Sequence, residues 1–293
     1  MHAEGDTSGH PSRLRPEASA PKSEGGFAVT YVMRSELGER RRLQLQSRVW
    51  EPVGEQLLAR LGSGKGLHAL DVGCGVMGWL GLLSRWVGET GRVTGTDVDD
   101  AMLTASRAFC SEEALTNVEL CRDDIFASNL PEAGFDLVHL RFQIAPIGRA
   151  REQVFSACKL TKPGGWMVLE EPDTGSWQDN PFAPATARLR SLVVEAFARS
   201  GGDFNAGRRL PEYLRAVGID PAVHSACLAL QPGHPYLHLP IQFAKPLRHR
   251  LLELVDESEL DRLLDAAGEE LASSRRWGVT FTLIQAWGRV QQD

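Results

Sequence analysis

An apolar segment, His68 to Val72, runs directly into Gly73-Cys74-Gly75-Val76-Met77-Gly78 and then into a helical pattern, Trp79, Leu82, Leu83 and Trp86, that Gly88 ends. This succession predicts a strand, a tight turn and a helix, the opening of a βαβ unit, and it restricts the chain to folds built on a parallel sheet. Gly73 and Gly75 let the backbone turn sharply and come close to a ligand, and Gly78 lets the helix pack tightly on the strand. The alternation continues. Strands are predicted at Arg92 to Thr96, Val118 to Arg122, Phe135 to Leu140 and Trp166 to Glu170, with helical patterns between them. The fold class expected is α/β, with a doubly wound and mostly parallel sheet.

The rest of the chain divides around this core. Residues 1–26 are rich in Ser, Pro, Gly, Glu and Ala and are expected to form a disordered tail. Trp50, Val53, Leu57, Leu58 and Leu61 recur at helical spacing, so residues 27–66 are expected to be a helical cover of one or two helices. Residues 67–172 hold the alternating core. In 173–293 the rhythm breaks, and helices near Ala185 to Ser200, Leu210 to Val217, Leu247 to Val255 and Leu260 to Leu271 read as lid insertions around strands at Val223 to Leu230 and Val279 to Val290.

A net charge of -6 argues against nucleic acid or an anionic membrane as partner. Cys74, Cys110, Cys121, Cys158 and Cys227 lack metal-ligand spacing, and their odd number suits a reducing cytoplasm better than a disulfide framework. Neither a spanning segment nor the apolar stretch of a signal peptide is present in the sequence. A small molecule is the expected partner.

In an open α/β sheet a ligand sits outside the carboxyl ends of the strands, and here those ends are polar. Asp71, two residues before Gly73, would repel a pyrophosphate but can accept a hydrogen bond from an ammonium group. Asp97 lies 19 residues beyond Gly78, where a carboxylate can accept from both ribose hydroxyls. Asp99 reads as a cap for the helix carrying Met102 and Leu103. The glycine spacing with Asp97 also satisfies the dinucleotide fingerprint, so an NAD-dependent oxidoreductase is a rival at this point.

Asp71-Val72-Gly73-Cys74-Gly75-Val76-Met77-Gly78 resembles the first motif of the class I S-adenosylmethionine-dependent methyltransferases, acidic-x-Gly-x-Gly-x-x-Gly. Phe135-Asp136-Leu137-Val138 and Lys162-Pro163-Gly164-Gly165 resemble two further markers of that family. The resemblance implies a Rossmann-like sheet of seven strands, an N-terminal helical cover, helical lid insertions, and S-adenosyl-L-methionine as methyl donor with S-adenosyl-L-homocysteine as product. It places the cofactor against Asp71, Gly73, Cys74, Gly75, Gly78, Asp97, Val98 and Met102. Asp124 and Ile125 match the family's adenine-binding step, with Asp123 as competitor, and Arg141 and Phe142 should wall the methionyl part.

Tyr31, the stretch Ser35 to Gln46, Gly201-Gly202-Asp203, Gly207-Arg208-Arg209-Leu210-Pro211 and Trp287-Gly288-Arg289 resemble a bacterial subset that methylates small, secondary-metabolite-type molecules. That likeness makes Tyr31 and Gln46 lid contacts and leaves room for a homo-oligomer exchanging its N-terminal helix. Many relatives carry a histidine shortly after the Arg141 position; here Pro146 stands in that slot. Glu170 and Glu171 are therefore the expected bases, and His139, inside a strand, reads as a buried core histidine. Tyr31, Trp177, Phe204, His234 and Tyr236 are the expected acceptor pocket, suited to an apolar or aromatic metabolite, with carbon at least as plausible an acceptor as oxygen. The alternative reading is a protein that binds the cofactor without methyl transfer, as scaffold or cyclase.

Overall fold

The computed structural model describes residues 37–291; the expected tail and Tyr31 lie outside the described residues. In chain order the elements are α1 (Leu37–Leu61), β1 (His68–Val72), α2 (Leu80–Val87), β2 (Arg92–Asp97), α3 (Asp100–Glu112), β3 (Val118–Arg122), β4 (Phe135–Arg141), α4 (Ile144–Ile147), α5 (Ala150–Leu160) and β5 (Thr161–Asp173). There follow β6 (Gln178–Asn180), α6 (Pro184–Arg199), α7 (Leu210–Ala216), β7 (Ala222–Ala226), β8 (Ala229–Leu230), α8 (Leu239–Ala244), α9 (Arg248–Leu251), α10 (Glu257–Leu271), β9 (Trp277–Val279) and β10 (Thr282–Arg289).

The main sheet has seven strands in the order β3-β2-β1-β4-β5-β10-β7. The first five run parallel, and β10 is antiparallel to both neighbours. The order reverses between β1 and β4, which puts the ligand crevice at the carboxyl ends of those strands. A second sheet, β6-β9-β8, is small and antiparallel.

Local chemistry accounts for the element ends. Gly88 closes α2 at φ 67°, and Asp99 caps α3 by accepting from the Ala101 N–H at 2.8 Å. At the amino ends of the strands Asp136 accepts from the His68 N–H at 2.9 Å and pairs with Lys162 at 2.8 Å, so it lies away from the crevice. Buried cores on either side hold the layers. One gathers Leu57, Leu58 and Trp79 against β1, and another gathers Phe135, Val154 and Leu214 on the far face. A third packs α1 against the lid helices. No helix among the described residues is long and apolar enough to cross a membrane.

Of the one or two helices expected before the first strand the described residues form one, and two other boundaries differ from the sequence expectation. Leu37–Leu61 is one 25-residue helix, with Pro52 accommodated inside it. The Lys162-Pro163-Gly164-Gly165 turn is absorbed into β5, where a register irregularity between Phe135 and Leu137 takes up the extra residues. The expected strand from Val223 splits, because β7 pairs with β10 while β8 crosses to the small sheet.

Candidate functional site

The glycine turn adopts the left-handed backbone that its sequence requires: φ is 63° at Gly73, 58° at Gly75 and 39° at Gly78. It is locked to the end of β2. The Cys74 N–H donates to the Thr96 carbonyl at 2.8 Å, and the Gly75 N–H donates to Asp97 Oδ2 at 3.0 Å. Asp97 Oδ1 accepts from the Asp99 N–H at 2.9 Å, and burial pushes its carboxyl pKa up. Asp97 thus sits half-buried against the turn, with lone pairs left over on both oxygens.

Around the turn, Cys74 is 3 % exposed and its thiol lies against Ser106, so it offers the crevice backbone only. Met102 is buried in α3. Val98 is 51 % exposed and Ile125 is 9 % exposed. Asp123 is used to close its own loop on the Asn129 N–H, whereas Asp124 is exposed and engages only the Phe126 N–H.

Asp71 serves a purpose different from the one its position predicts. Its carboxylate is buried, with Oδ1 2.8 Å from His139 Nδ1 and Oδ2 accepting from the Trp79 N–H at 2.7 Å. It spans the glycine loop from the end of β1 to the start of α2, and both oxygens are occupied by protein donors rather than presented to an ammonium group. A Cβ on Gly78 would stand 2.3 Å from Asp71 Oδ2, so that glycine is required by the carboxylate packed under it.

Glu170 and Glu171 are likewise framework groups and not free bases. Glu170 is fully buried; Oε2 lies 3.1 Å from His139 Nε2, and Oε1 accepts from Gln285 Nε2 at 2.6 Å. Burial opposes its ionisation, but the His139 hydrogen bond and charge prevail and hold its pKa below the usual value. Glu171 accepts from the backbone N–H groups of Gln143, Ile144 and Ala145 at 2.8, 2.6 and 3.0 Å, anchoring the first turn of α4. Burial pushes its carboxyl up to about 8 against those three donors. With all four oxygens committed, neither side chain reaches out to an acceptor molecule.

Arg141 ends β4 beside the turn. Nη2 donates to the Gly78 carbonyl at 3.1 Å and to Ser47 Oγ of α1 at 3.3 Å. Nη1 is buried and has no hydrogen-bond partner among the described residues. Phe142 follows at φ 55°, a left-handed backbone that a bulky residue holds only where its surroundings enforce it. Gln143 then folds over the turn: its Nε2 donates to the Gly73 carbonyl at 3.1 Å, and a Cβ on Gly73 would lie 2.3 Å from its amide.

From Phe142 an aromatic cluster leads away under the lid. Phe142 meets Phe281 edge-on at 5.7 Å, Phe281 contacts Trp50, Trp177 and Tyr236, and Trp177 and Phe204 both meet Phe243. The expected pocket residues Trp177, Phe204 and Tyr236 are therefore brought together as buried neighbours. Tyr236 Oη accepts from Trp50 Nε1 at 3.1 Å. His234 stands apart, half-buried, with Nδ1 capping the turn at Tyr236. Gln46 is buried on α1, its Oε1 accepting from Arg42 Nη1 at 2.8 Å, and Arg42 lies over the Phe243 ring at 4.7 Å.

Sequence reasoning missed Phe281, Gln143 and Gln285. Phe281 falls just before β10, inside a segment legible only as a strand, and no local pattern marks it as the centre of the cluster. The motif glycines Gly202 and Gly207 prove to be close-packing positions, since a Cβ would meet the Ala145 carbonyl at 2.4 Å and the Glu171 carbonyl at 2.7 Å.

Residues 69–165 match the sequence model of a methyltransferase domain. The N-methyltransferase tcpN of Claviceps purpurea is 29% identical over 158 residues, 52% of this chain and 54% of that protein. A demethylmenaquinone methyltransferase of Staphylococcus aureus is 31% identical over 126 residues, 43% of this chain and 50% of that protein. The chain spans about half the length of these curated relatives. Among solved structures, a SAM-dependent methyltransferase from Aquifex aeolicus superposes with a TM-score of 0.50 at 20% identity, covering 68% of this chain and 93% of that one. The YcgJ protein from Bacillus subtilis gives 0.55 at 14% identity, covering 81% of this chain and 97% of that one. At such identities the superpositions speak for the fold. The domain match and the strand order together identify residues 69–165 as a methyltransferase domain.

Proposed function

We propose that the protein transfers a methyl group from S-adenosyl-L-methionine to a small, apolar or aromatic metabolite. The observation that carries this reading is Arg141: a guanidinium nitrogen buried without a partner among the described residues, beside a glycine turn held in a left-handed backbone. A buried donor of that kind is costly unless a ligand completes it, and a carboxylate is its natural complement.

The residues present fit the cofactor. Arg141 Nη1 would hold the methionyl carboxylate, Asp97 the ribose hydroxyls, exposed Val98 and buried Ile125 the two faces of adenine, and Asp124 its exocyclic amine. Bound there, the sulfonium supplies an already activated methyl group. The protein's share is chiefly orientation, since in-line placement can supply most of the rate. Phe142, fixed by its strained backbone, would stand between the cofactor and the aromatic cluster through Phe281, so a flat or apolar acceptor would have its surface matched there. Ring faces near the transferring methyl also suit a centre that gains positive charge on methylation.

Because Glu170 and Glu171 are committed to framework donors, the described residues provide no free carboxylate base at this point. That favours acceptors whose nucleophilic atom needs little help, so an electron-rich carbon is at least as suitable as a hydroxyl. The relatives' names, an N-methyltransferase and a demethylmenaquinone methyltransferase, are consistent with a small-molecule acceptor. The negative net charge suits such a substrate better than nucleic acid. Incubation of the purified protein with methyl-labelled cofactor and a metabolite extract tests the reading: label recovered in a small molecule supports it. Binding of the cofactor with no label transferred across a broad acceptor set would instead support the silent scaffold or cyclase alternative.

A further inference from the structure

A row of polar side chains crosses the sheet beneath the crevice, one from each of five adjacent strands: Asp71 of β1, His139 of β4, Glu170 of β5, Gln285 of β10 and His224 of β7. Asp71 and His139 are register partners, as are Glu170 and Gln285, and Gln285 and His224. The middle of the row is sealed. His139, Glu170, Gln285 and Asp71 are each no more than 2 % exposed, and the Trp79 indole stacks on the His139 ring at 3.8 Å with 13° between planes.

The hydrogen bonds of this row bear on the charge of its central residue. Asp71 Oδ2 accepts from a backbone N–H and Glu170 Oε1 accepts from an amide N–H, so both carboxylates use those oxygens as acceptors. Their remaining oxygens face the two ring nitrogens of His139, at 2.8 and 3.1 Å. With both carboxylates ionised, neither has a proton to give, and both contacts are hydrogen bonds only if both ring nitrogens carry hydrogen. The doubly protonated ring then balances one of two buried negative charges, and Arg141, whose Nε lies 3.9 Å from Glu170, balances the other.

We propose that His139 is a permanently protonated, buried counter-ion that positions the cofactor turn. It holds the Asp71 carboxylate in the one orientation that ties Trp79, and hence the Gly73 to Gly78 loop, to the end of β1. Through Glu170 it also sets the Arg141 guanidinium, whose Nη1 is buried without a partner among the described residues. His139 touches neither cofactor nor acceptor in this arrangement; it acts through Asp71 and Arg141. The charged and titratable groups facing it are Asp71 from β1, Glu170 from β5 and Arg141 from its own strand, with the Cys74 thiol beyond Asp71. The His139 pKa agrees in direction: burial alone would lower it, but the two carboxylates raise it.

The cofactor readout of the test rests on the methyltransferase reading; the charge readout does not. Nitrogen-15 NMR of histidine-labelled wild-type protein should show both His139 ring nitrogens protonated and unchanged from pH 6 to 8.5. A neutral ring, or one titrating below pH 7, would overturn the proposal whatever the protein binds. Calorimetry with S-adenosylhomocysteine should give a wild-type affinity that is flat from pH 6 to 7, below the Glu171 titration. In His139→Gln, affinity should fall at least tenfold at neutral pH and fall further as pH rises, because the two carboxylates no longer share a cation. A variant as tight and as flat as wild type would contradict the positioning role. If His139→Gln does not fold, Glu170→Gln serves: removing one carboxylate should bring the His139 titration down into the measured range, and no change in it would contradict the counter-ion assignment. Wild-type protein that fails to bind the homocysteine product at all would count against the methyltransferase reading, while the NMR result would still decide the charge of His139.

Discussion

Asp71 and His139 stand opposite each other on neighbouring parallel strands, with Oδ1 2.8 Å from Nδ1 and both side chains sealed from solvent. The acidic residue of the glycine motif is thus held by the sheet itself, and the turn is held by that residue. Replacing Asp71 by Asn keeps the volume but removes the charge that His139 faces. Loss of one partner from a buried pair costs about 3–5 kcal/mol, so urea unfolding of Asp71→Asn should show a drop of that size. A variant within 0.5 kcal/mol of wild type, roughly the scatter of surface substitutions, would mean the pair is not charged.

Arg141 separates the two halves of the cofactor. Arg141→Met should weaken S-adenosylhomocysteine binding by about 1.5–3 kcal/mol, the usual worth of a hydrogen bond to a charged group. It should leave 5′-methylthioadenosine, which lacks the carboxylate, nearly unaffected. Calorimetry with both ligands checks this, and equal losses for the two would remove Arg141 from the methionyl site.

At the other half, Asp97→Ala should cost about 1–3 kcal/mol of cofactor affinity, because the ribose hydroxyls and the Gly75 N–H lose the same acceptor. Asp97→Asn retains one carbonyl acceptor and should lose less. Unchanged affinity in a folded Asp97→Ala protein would reject the ribose role.

The buried ionisable groups also set a pH dependence. The raised pKa of His139 gives stabilisation that is complete below its ordinary value of 6.5 and is lost as pH climbs through the higher folded value. Glu171 has its pKa raised from 4.5 to about 8, so the folded chain keeps a proton that the unfolded chain has released, and stability falls across that interval. Glu170, with a lowered pKa, loses its contribution only in acid. Denaturation followed from pH 6 to 8.5 should show stability declining steadily; a rise over that range would contradict these directions.

What the sequence displayed was whatever local pattern determines. The limits of β1 and β3 follow from short apolar runs bounded by polar residues and glycines, and the turn at Gly73 follows from backbone sterics that only glycine relieves. Asp99 as a cap needed nothing beyond its neighbours. The failures share one cause, dependence on partners far along the chain. Asp71 was legible as an acidic motif residue, yet its use is decided by His139, 68 positions away. Glu170 and Glu171 were expected as bases because they end a strand at the crevice, and Gln285 and the α4 backbone occupy them instead. The strand expected from Val223 breaks because its second part finds edge pairing in another sheet, which no periodicity encodes.

Calorimetric titration of the wild-type protein with S-adenosylmethionine, S-adenosylhomocysteine and NAD decides which cofactor the crevice takes. The arrangement of Asp97, Arg141 and the glycine turn predicts saturable one-site binding of the first two and none of the dinucleotide. Binding of NAD alone would contradict it.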